Sequence, residues 1–485
     1  MLYHWVVGVQ LGRRLTLAGA LILGLVAPLR ADLTVEALVG NAITGVGPYY
    51  QDVYDAIRSF GNRDYKSALA QLEHAKKTVP RLPPPEVMMA QLFFDAKEAP
   101  GGIAMLEKAV STAPEDPEAY VILAERAVSE GRFVEAEILL DKATKLVAAF
   151  GENPKRKQNL QQRSLAAWAN LEEGRGNLKE ARAKLEAWLQ LDPRNAAGQE
   201  RLGRVLFALE DPKAAYGAFR LAADNDKDMP GAEIAMAMLF KDPVNAEKWV
   251  KAALSKSPQD PRTHIGAARY FLKENQLDET KAQAQEAVKL APDNMEANMV
   301  LGLTARLTGD FKLAETHLSK AHLMAPNNAV VTNALALTLL ELPDDEQHQR
   351  AMQFAQQNAQ LNPNSIEFVA THGWVAFRLN RRIEAERSFG LVFSSARGGT
   401  MNVNSDILYY LANFAKDRGN ITEAMKMLKD SLAPNTPFAY RKQAQALYAQ
   451  LAKIEKARLG KTETAKTTEK VKEEAAQSSK EDVTK

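Results

Sequence analysis

Between residues 49 and 437 the apolar positions recur at helical spacing, with polar residues filling the intervening faces. Prolines punctuate this pattern at Pro80, Pro114, Pro258, Pro292 and Pro326, and three of the four gaps are 34 residues. A period of that size predicts one helical hairpin per unit. A proline just past the second helix stops it and opens the next unit. The clearest unit, residues 295–328, places Leu301-Gly302 in a first helix, Gly309-Asp310 in the turn, Ala314 and Ala321 in a second helix, and Pro326 after it.

This unit resembles the tetratricopeptide repeat, a helix–turn–helix with small residues at its eighth, twentieth and twenty-seventh places. The rest of the chain keeps that frame. The eighth place holds Ala268, Gly302, Gly373 and Ala412 among others, and the twentieth holds Ala314, Ala385 and Ala424, while Ala321 stands at the twenty-seventh. Two helices approach most closely at such places, and a side chain longer than Cβ would hold them apart. Between the small places runs a ridge of larger residues: Leu72, Leu106, Leu140, Leu185, Phe219, Leu318, Phe389 and Leu428. Units therefore begin near 49, 83, 117, 162, 196, 227, 261, 295, 329, 366 and 405. The resemblance implies an all-α, right-handed superhelical solenoid of about eleven hairpins over residues 49–459.

Departures from the frame are local. Residues 151–161 read as an insertion between the third and fourth units, and the unit near 227 has a shortened first helix with Ile234 at its eighth place. Leu342-Pro343-Asp344 lengthen one turn, and Ser395 to Asp406 read as a long Gly/Asn loop. The first two units lack a Leu-Gly pair, as weak end repeats do. After Pro437 a last helix carries Tyr440, Ala444, Leu447, Leu451 and Ile454 on one stripe, suited to capping the array.

Both ends differ from the body. Arg13-Arg14, an apolar run from Leu15 to Leu29 and then Arg30-Ala31-Asp32 have the form of a secretory signal peptide over residues 1–31. An uncleaved membrane anchor is the alternative, although fifteen apolar residues are fewer than the roughly 20 needed to span. Residues 32–48 read as a linker, and 460–485 as an unfolded Lys/Glu/Thr/Ser tail. The expected location is therefore outside the cytoplasm, in the periplasm or cell envelope.

Composition narrows the chemistry. The 62 basic and 60 acidic residues leave a formal charge of +2, too little for a nucleic-acid binder working by bulk charge. There is no cysteine, which excludes disulfides, thiolate nucleophiles and anchoring through an N-terminal Cys. No nucleotide loop, nucleophile elbow or zinc helix motif occurs. Gly460-Lys461-Thr462 is half of a phosphate loop, but Glu455 stands where its first glycine belongs. His317 and His322 are five apart, roughly 140° around a helix, so joint metal chelation is not expected. His264 and His372 fall on packing positions. Glu172-Glu173 and Asp344-Asp345 read as solvated charge in turns. No cofactor, metal or catalytic residue is expected.

What remains is the face formed by the first helices. In the family a partner touches places two, five, nine, twelve and thirteen. Carried onto this chain, those places give Arg204, Arg262, Arg269, Lys273, Arg306, Asn333, Trp374, Phe377, Tyr409 and Asn413, with Arg201 beside them. The series suggests a basic floor giving way to an aromatic one, and arginine can grip a carboxylate bidentately. Against this, Trp374 and Phe377 are equally suited to packing within the chain, and lone arginines to a solvated surface. The resemblance implies a non-enzymatic scaffold that binds a protein or peptide, in envelope or secretion-complex assembly. The alternatives are an accessory of a cell-wall or polysaccharide-processing enzyme, and a membrane-anchored assembly factor.

Overall fold

The computed structural model describes residues 50–397, 403–434 and 437–457. The expected signal segment, the linker and the tail from residue 460 lie outside the described residues. Among the described residues there are 23 helices and no strand.

One compact unit ends at Leu239 and a second begins at Phe240. The first contains α1 (Tyr50–Gly61), α2 (Tyr65–Thr78), α3 (Pro85–Asp95), α4 (Ala99–Thr112), α5 (Glu118–Ser129), α6 (Phe133–Ala149), α7 (Pro154–Arg175), α8 (Leu178–Leu191), α9 (Ala196–Ala208), α10 (Pro212–Asn225) and the short α11 (Ala232–Leu239). The second contains α12 (Pro243–Lys256), α13 (Pro261–Lys273), α14 (Leu277–Leu290), α15 (Met295–Thr308), α16 (Phe311–Met324), α17 (Ala329–Leu339), α18 (Asp345–Leu361), α19 (Ile366–Arg378), α20 (Arg382–Arg397), α21 (Ser405–Asp417), α22 (Ile421–Leu432) and α23 over residues 441–457. Each unit is an all-α stack of helical hairpins, the repeat superhelix that the 34-residue period predicts.

The small-residue register holds these hairpins together. At the eighth place Ala56, Ala90, Ala124, Ala169, Ala268, Ala336 and Ala412 are fully buried, and at the twentieth so are Ala68, Ala136, Ala181, Ala215, Ala314, Ala351, Ala385 and Ala424. In three hairpins the eighth place is glycine, against Phe219, Leu318 and Phe389. A Cβ on Gly203 would lie 2.6 Å from the Phe219 ring, and one on Gly302 would lie 2.6 Å from Leu318 Cγ. The first two hairpins pack with the same register, through Ala56 with Ala68 and Ala90 with Leu106, and are not degenerate end units.

The tight turn inside a hairpin has its own requirement. Gly309 closes α15 in the left-handed region at φ 81°, and its amide N–H bonds back into the helix, an arrangement that glycine adopts without a Cβ penalty. Gly131, Gly176 and Gly419 take the same place, but Arg63, Lys97, Glu210, Asn275 and Asn380 also occupy it, at φ 59–63°. Second helices begin on short polar caps: Asp64, Asp211 and Asp310 each accept a bond from the backbone N–H three residues on.

Two sequence readings are corrected, and the insertion takes a definite form. The insertion at 151–161 is mostly helical: residues 154–161 extend α7 by two turns, capped by Asn153, whose side chain accepts from Arg156 N–H. The extension is held by Arg156, buried against Phe150 with its ring centroid 5.1 Å away and paired with Asp116 and Glu118 at 2.7 Å. Glu172 and Glu173 lie in the last turn of α7 rather than in a turn between helices, and Glu172 is buried, accepting from Asn177 Nδ2 at 2.7 Å. The Gly/Asn loop is shorter than Ser395 to Asp406, because α20 continues to Arg397 and Ser405 already begins α21. The shortened first helix near 227 is present as the eight-residue α11, with Ile234 buried.

Candidate functional site

In the second unit the first helices α13, α15, α17, α19 and α21 touch one another in succession. They curve enough that side chains three hairpins apart meet. Arg306 on α15 reaches Asp406 on α21 at 3.6 Å, and the Tyr440 hydroxyl donates to Glu341 Oε1, just after α17, at 3.0 Å. These contacts define an inner face.

The basic half of the expected floor is built differently from its sequence reading. Each cation already has an acid beside it. Arg204 Nε donates to Glu200 at 2.5 Å, Arg262 grips Asp260 through two nitrogens at 2.8 and 3.1 Å, and Arg269 pairs with Glu296. Lys273 stands 3.9 Å from Glu274, and Arg201, beside the series, donates to Glu173 at 2.6 Å. A partner carboxylate would have to displace one of these. The acids were legible: Glu296, Glu367 and Asp406 all stand at the second place of their units.

The aromatic half is a packed cluster. Trp374 is 2% exposed, stacks on Tyr410 at 4.8 Å and 10°, and also lies against Phe377 at 5.9 Å. Tyr409 stacks on Tyr440 at 5.1 Å and 12°. Packing within the chain therefore describes the surroundings of Trp374 and Tyr409. Phe377 is half-buried, and Asn413 turns its amide back to the Tyr409 carbonyl at 2.9 Å. Asn333 is buried on α17, and its Oδ1 has no hydrogen-bond partner among the described residues.

Tyr440 is a residue whose place the sequence misassigned. It lies just before α23 rather than within it and enters the inner face, with the Arg306 guanidinium 5.7 Å from its ring centroid. Tyr440, Ala444 and Leu451 all join the core of the last hairpins, whereas Ile454 at the end of the expected stripe is 46% exposed.

Electrostatics follow from this closure. Burial works against the Arg306 charge, but Asp406 and the tyrosine oxygens more than offset it and hold the guanidinium protonated. Burial raises the Glu367 carboxyl, and the like charge of Asp406 adds to the rise while Arg306 opposes it. Burial also pushes the Tyr410 phenol well above its usual range. The histidines serve packing. His264 Nδ1 meets Gln283 at 2.8 Å and His317 Nδ1 meets Asn298 at 2.9 Å, the same fourth-to-twenty-third-place tie with the partners exchanged. Among the described residues, no group of three or more His, Asp and Glu is placed to hold a metal ion.

The first unit contains a cleft of about 510 Å³ between the ends of α2 and α4, lined by Glu73, Glu86, Asp116 and Glu152. Its Lys76 ammonium is committed to the carbonyls of Pro80 and Leu82 at 2.6 and 2.7 Å.

Comparison with known proteins agrees with the register. Residues 87–154, 166–230 and 265–329 match the family model of the tetratricopeptide repeat. The matched stretches lie in both units and cover less than half of the chain. No curated protein matches it. Among solved structures, yeast Tom70 is similar at 15% identity over 84% of this chain and 96% of its own, with a TM-score of 0.33. A tetratricopeptide repeat protein from Parabacteroides merdae is similar at 11% identity over 60% and 99%, with a TM-score of 0.34. The Cut9–Hcn1 hetero-tetramer of the APC/C is similar at 12% identity over 84% and 91%, with a TM-score of 0.35. With scores this low, the fold assignment stands on the register and the helix pairing.

Proposed function

We propose that this chain is a non-enzymatic scaffold that holds a protein or peptide against the inner face of its repeats. The observation that carries the reading is the gathering of arginine, acidic and aromatic side chains from successive first helices onto one face, in a repeat whose chemistry is otherwise only packing. Each contact is modest, and the length of the array supplies area and multivalency. The test is crosslinking and mass spectrometry on the full chain in its native cells. Recurrent crosslinks from one partner to the first helices support the reading. Crosslinks confined to second helices overturn it.

The scaffold is further proposed to be exported by residues 1–31 and to act in the cell envelope. The Arg13-Arg14 flank, the fifteen-residue apolar core and the small residue before Asp32 support this. N-terminal sequencing of the mature protein decides it: a start at Asp32 fits cleavage and export, and a start at Met1 fits a retained anchor.

A further inference from the structure

The inner face of the second unit is charged unequally. Of two carboxylates there, Asp406 on α21 stands 3.6 Å from the Arg306 guanidinium, while Glu367 on α19 feels that charge only through space. Glu341 is already taken, by Arg378 at 2.9 Å and by the Tyr440 hydroxyl. Glu367 is part-exposed and has no ion-pair partner among the described residues, and Asp406 is 28% exposed. Solvent therefore reaches Glu367 and part of Asp406, whose Oδ1 is buried without a hydrogen-bond partner among the described residues.

A second observation is independent of the acids. The Tyr410 hydroxyl, on a side chain 1% exposed, has no hydrogen-bond partner among the described residues. It lies within the field of Glu367, Asp406 and Arg306. A buried hydroxyl is ordinarily satisfied, and one left open beside surplus carboxylate marks a position where a further polar group belongs. The surrounding rings suit a cation, since Arg378 already lies 5.3 Å from the Trp374 ring centroid.

We infer that Glu367 and Asp406, over the Tyr410–Trp374 stack, form a pocket for a cationic side chain, a lysine or arginine presented by a protein partner. This rests on the scaffold reading and reverses the charge expected of the partner there. The arginines read from the sequence as the gripping groups are neutralised within the chain, and the surplus charge on this face is negative. Carboxylate pairs and aromatic faces discriminate strongly against an acidic peptide.

The experiment is fluorescence anisotropy on the full chain at physiological ionic strength, with fluorescein-labelled hexa-arginine, hexa-lysine and hexa-glutamate peptides. Binding of the two basic peptides and not of hexa-glutamate is expected, and Glu367→Gln should weaken it by about tenfold, the loss of one partly desolvated charge pair. Glu367 pairs with no basic residue of the described chain, so its neutral variant should fold normally; Asp406→Asn adds a second measurement, read with its thermal midpoint. Glu135→Gln, on the exposed face of α6, is the control for general attraction to acid. No binding of the basic peptides, or equal weakening by Glu135→Gln and Glu367→Gln, overturns the pocket. The two readings fail separately. If Glu367→Gln weakens hexa-arginine but the wild-type chain crosslinks to no partner, the scaffold falls and the pocket stands. If partners still crosslink and Glu367→Gln changes nothing, the pocket falls alone.

Discussion

Gly203 and Phe219 occupy one space. The glycine in α9 lies so near the ring in α10 that a Cβ would come within 2.6 Å of it, and the pair closes the hairpin that Ala and Leu close elsewhere. Gly203→Ala should therefore lower stability by about 1–3 kcal/mol, as overpacking does. Phe219→Leu in the same chain should recover part of that loss, a coupling that a double-mutant cycle in urea measures directly. Additive losses would mean that the two residues do not share the space.

The left-handed turn offers the opposite change. Glu210 stands at φ 63° where Gly309 stands at 81° in the equivalent turn. An L-residue with a Cβ pays about 1–2 kcal/mol in that region, partly offset by the extra freedom glycine has when unfolded. Glu210→Gly should raise the unfolding midpoint, and Gly309→Ala should lower it. Hydrogen exchange on the flanking helices will localise both effects.

Arg156 ties the extension of α7 to the preceding hairpin. Its side chain is 7% exposed and faces Asp116 and Glu118. Arg156→Met leaves Asp116 without its cation and Glu118 with only Arg163, 3.7 Å away, and breaking a buried pair in this way costs about 3–5 kcal/mol. Combining it with Asp116→Asn and Glu118→Gln should restore much of the loss. If the single variant unfolds like the wild type, the network is ornamental.

Stability should fall with acid, and the second unit should carry part of the fall. Burial holds the imidazoles of His317, His322 and His372 below their ordinary value of 6.5. A depressed value means that the fold favours the neutral ring. That contribution is complete above the unfolded value and is lost as pH drops through the folded ones. Thermal midpoints taken from about pH 7 to about pH 5 should decline, and the decline should be shallower in His317→Gln.

Tyr440→Ala should open the inner face. Trp374, Tyr409 and Tyr410 would lose a ring packed 5.1–5.9 Å away, and Glu341 would lose a donor. Near-UV circular dichroism should lose aromatic signal, with a drop in stability of about 3–5 kcal/mol for the missing ring. An unchanged spectrum would show that the segment does not dock there.

The fold was readable because its determinant is periodic and one-dimensional: a small residue at the eighth and twentieth places, a ridge residue between, a proline after. Even the start of most first helices follows from that frame. What the frame could not supply was anything depending on curvature. Arg306 and Asp406 belong to units three apart, and no spacing along the chain announces their meeting. Tyr440 sits on the apolar stripe of its helix on paper, but the helix begins one residue later. The arginines were visible and their acids were too; reading places two and five for one sign of charge alone turned a neutralised row into a basic floor. The extension of α7 was missed because GENPKRKQNLQ is mostly polar, and a helix buried there only at Arg156 and Leu160 has little periodic signal.

The contact between Tyr440 and Glu341 changes how the second unit comes into being. A stack in which each hairpin touches only its neighbours can grow from either end and fray from either end. Here the closing group lies near the C-terminal end of the described chain, so loop-closure entropy across three hairpins is met only once that group arrives. On a ribosome, residues 295–432 would emerge with their aromatic face uncovered and wait for residue 440 before it shuts. Residue 440 thus acts as a latch, and a chain stopped short of it would leave Trp374, Tyr409 and Tyr410 without the ring that covers them.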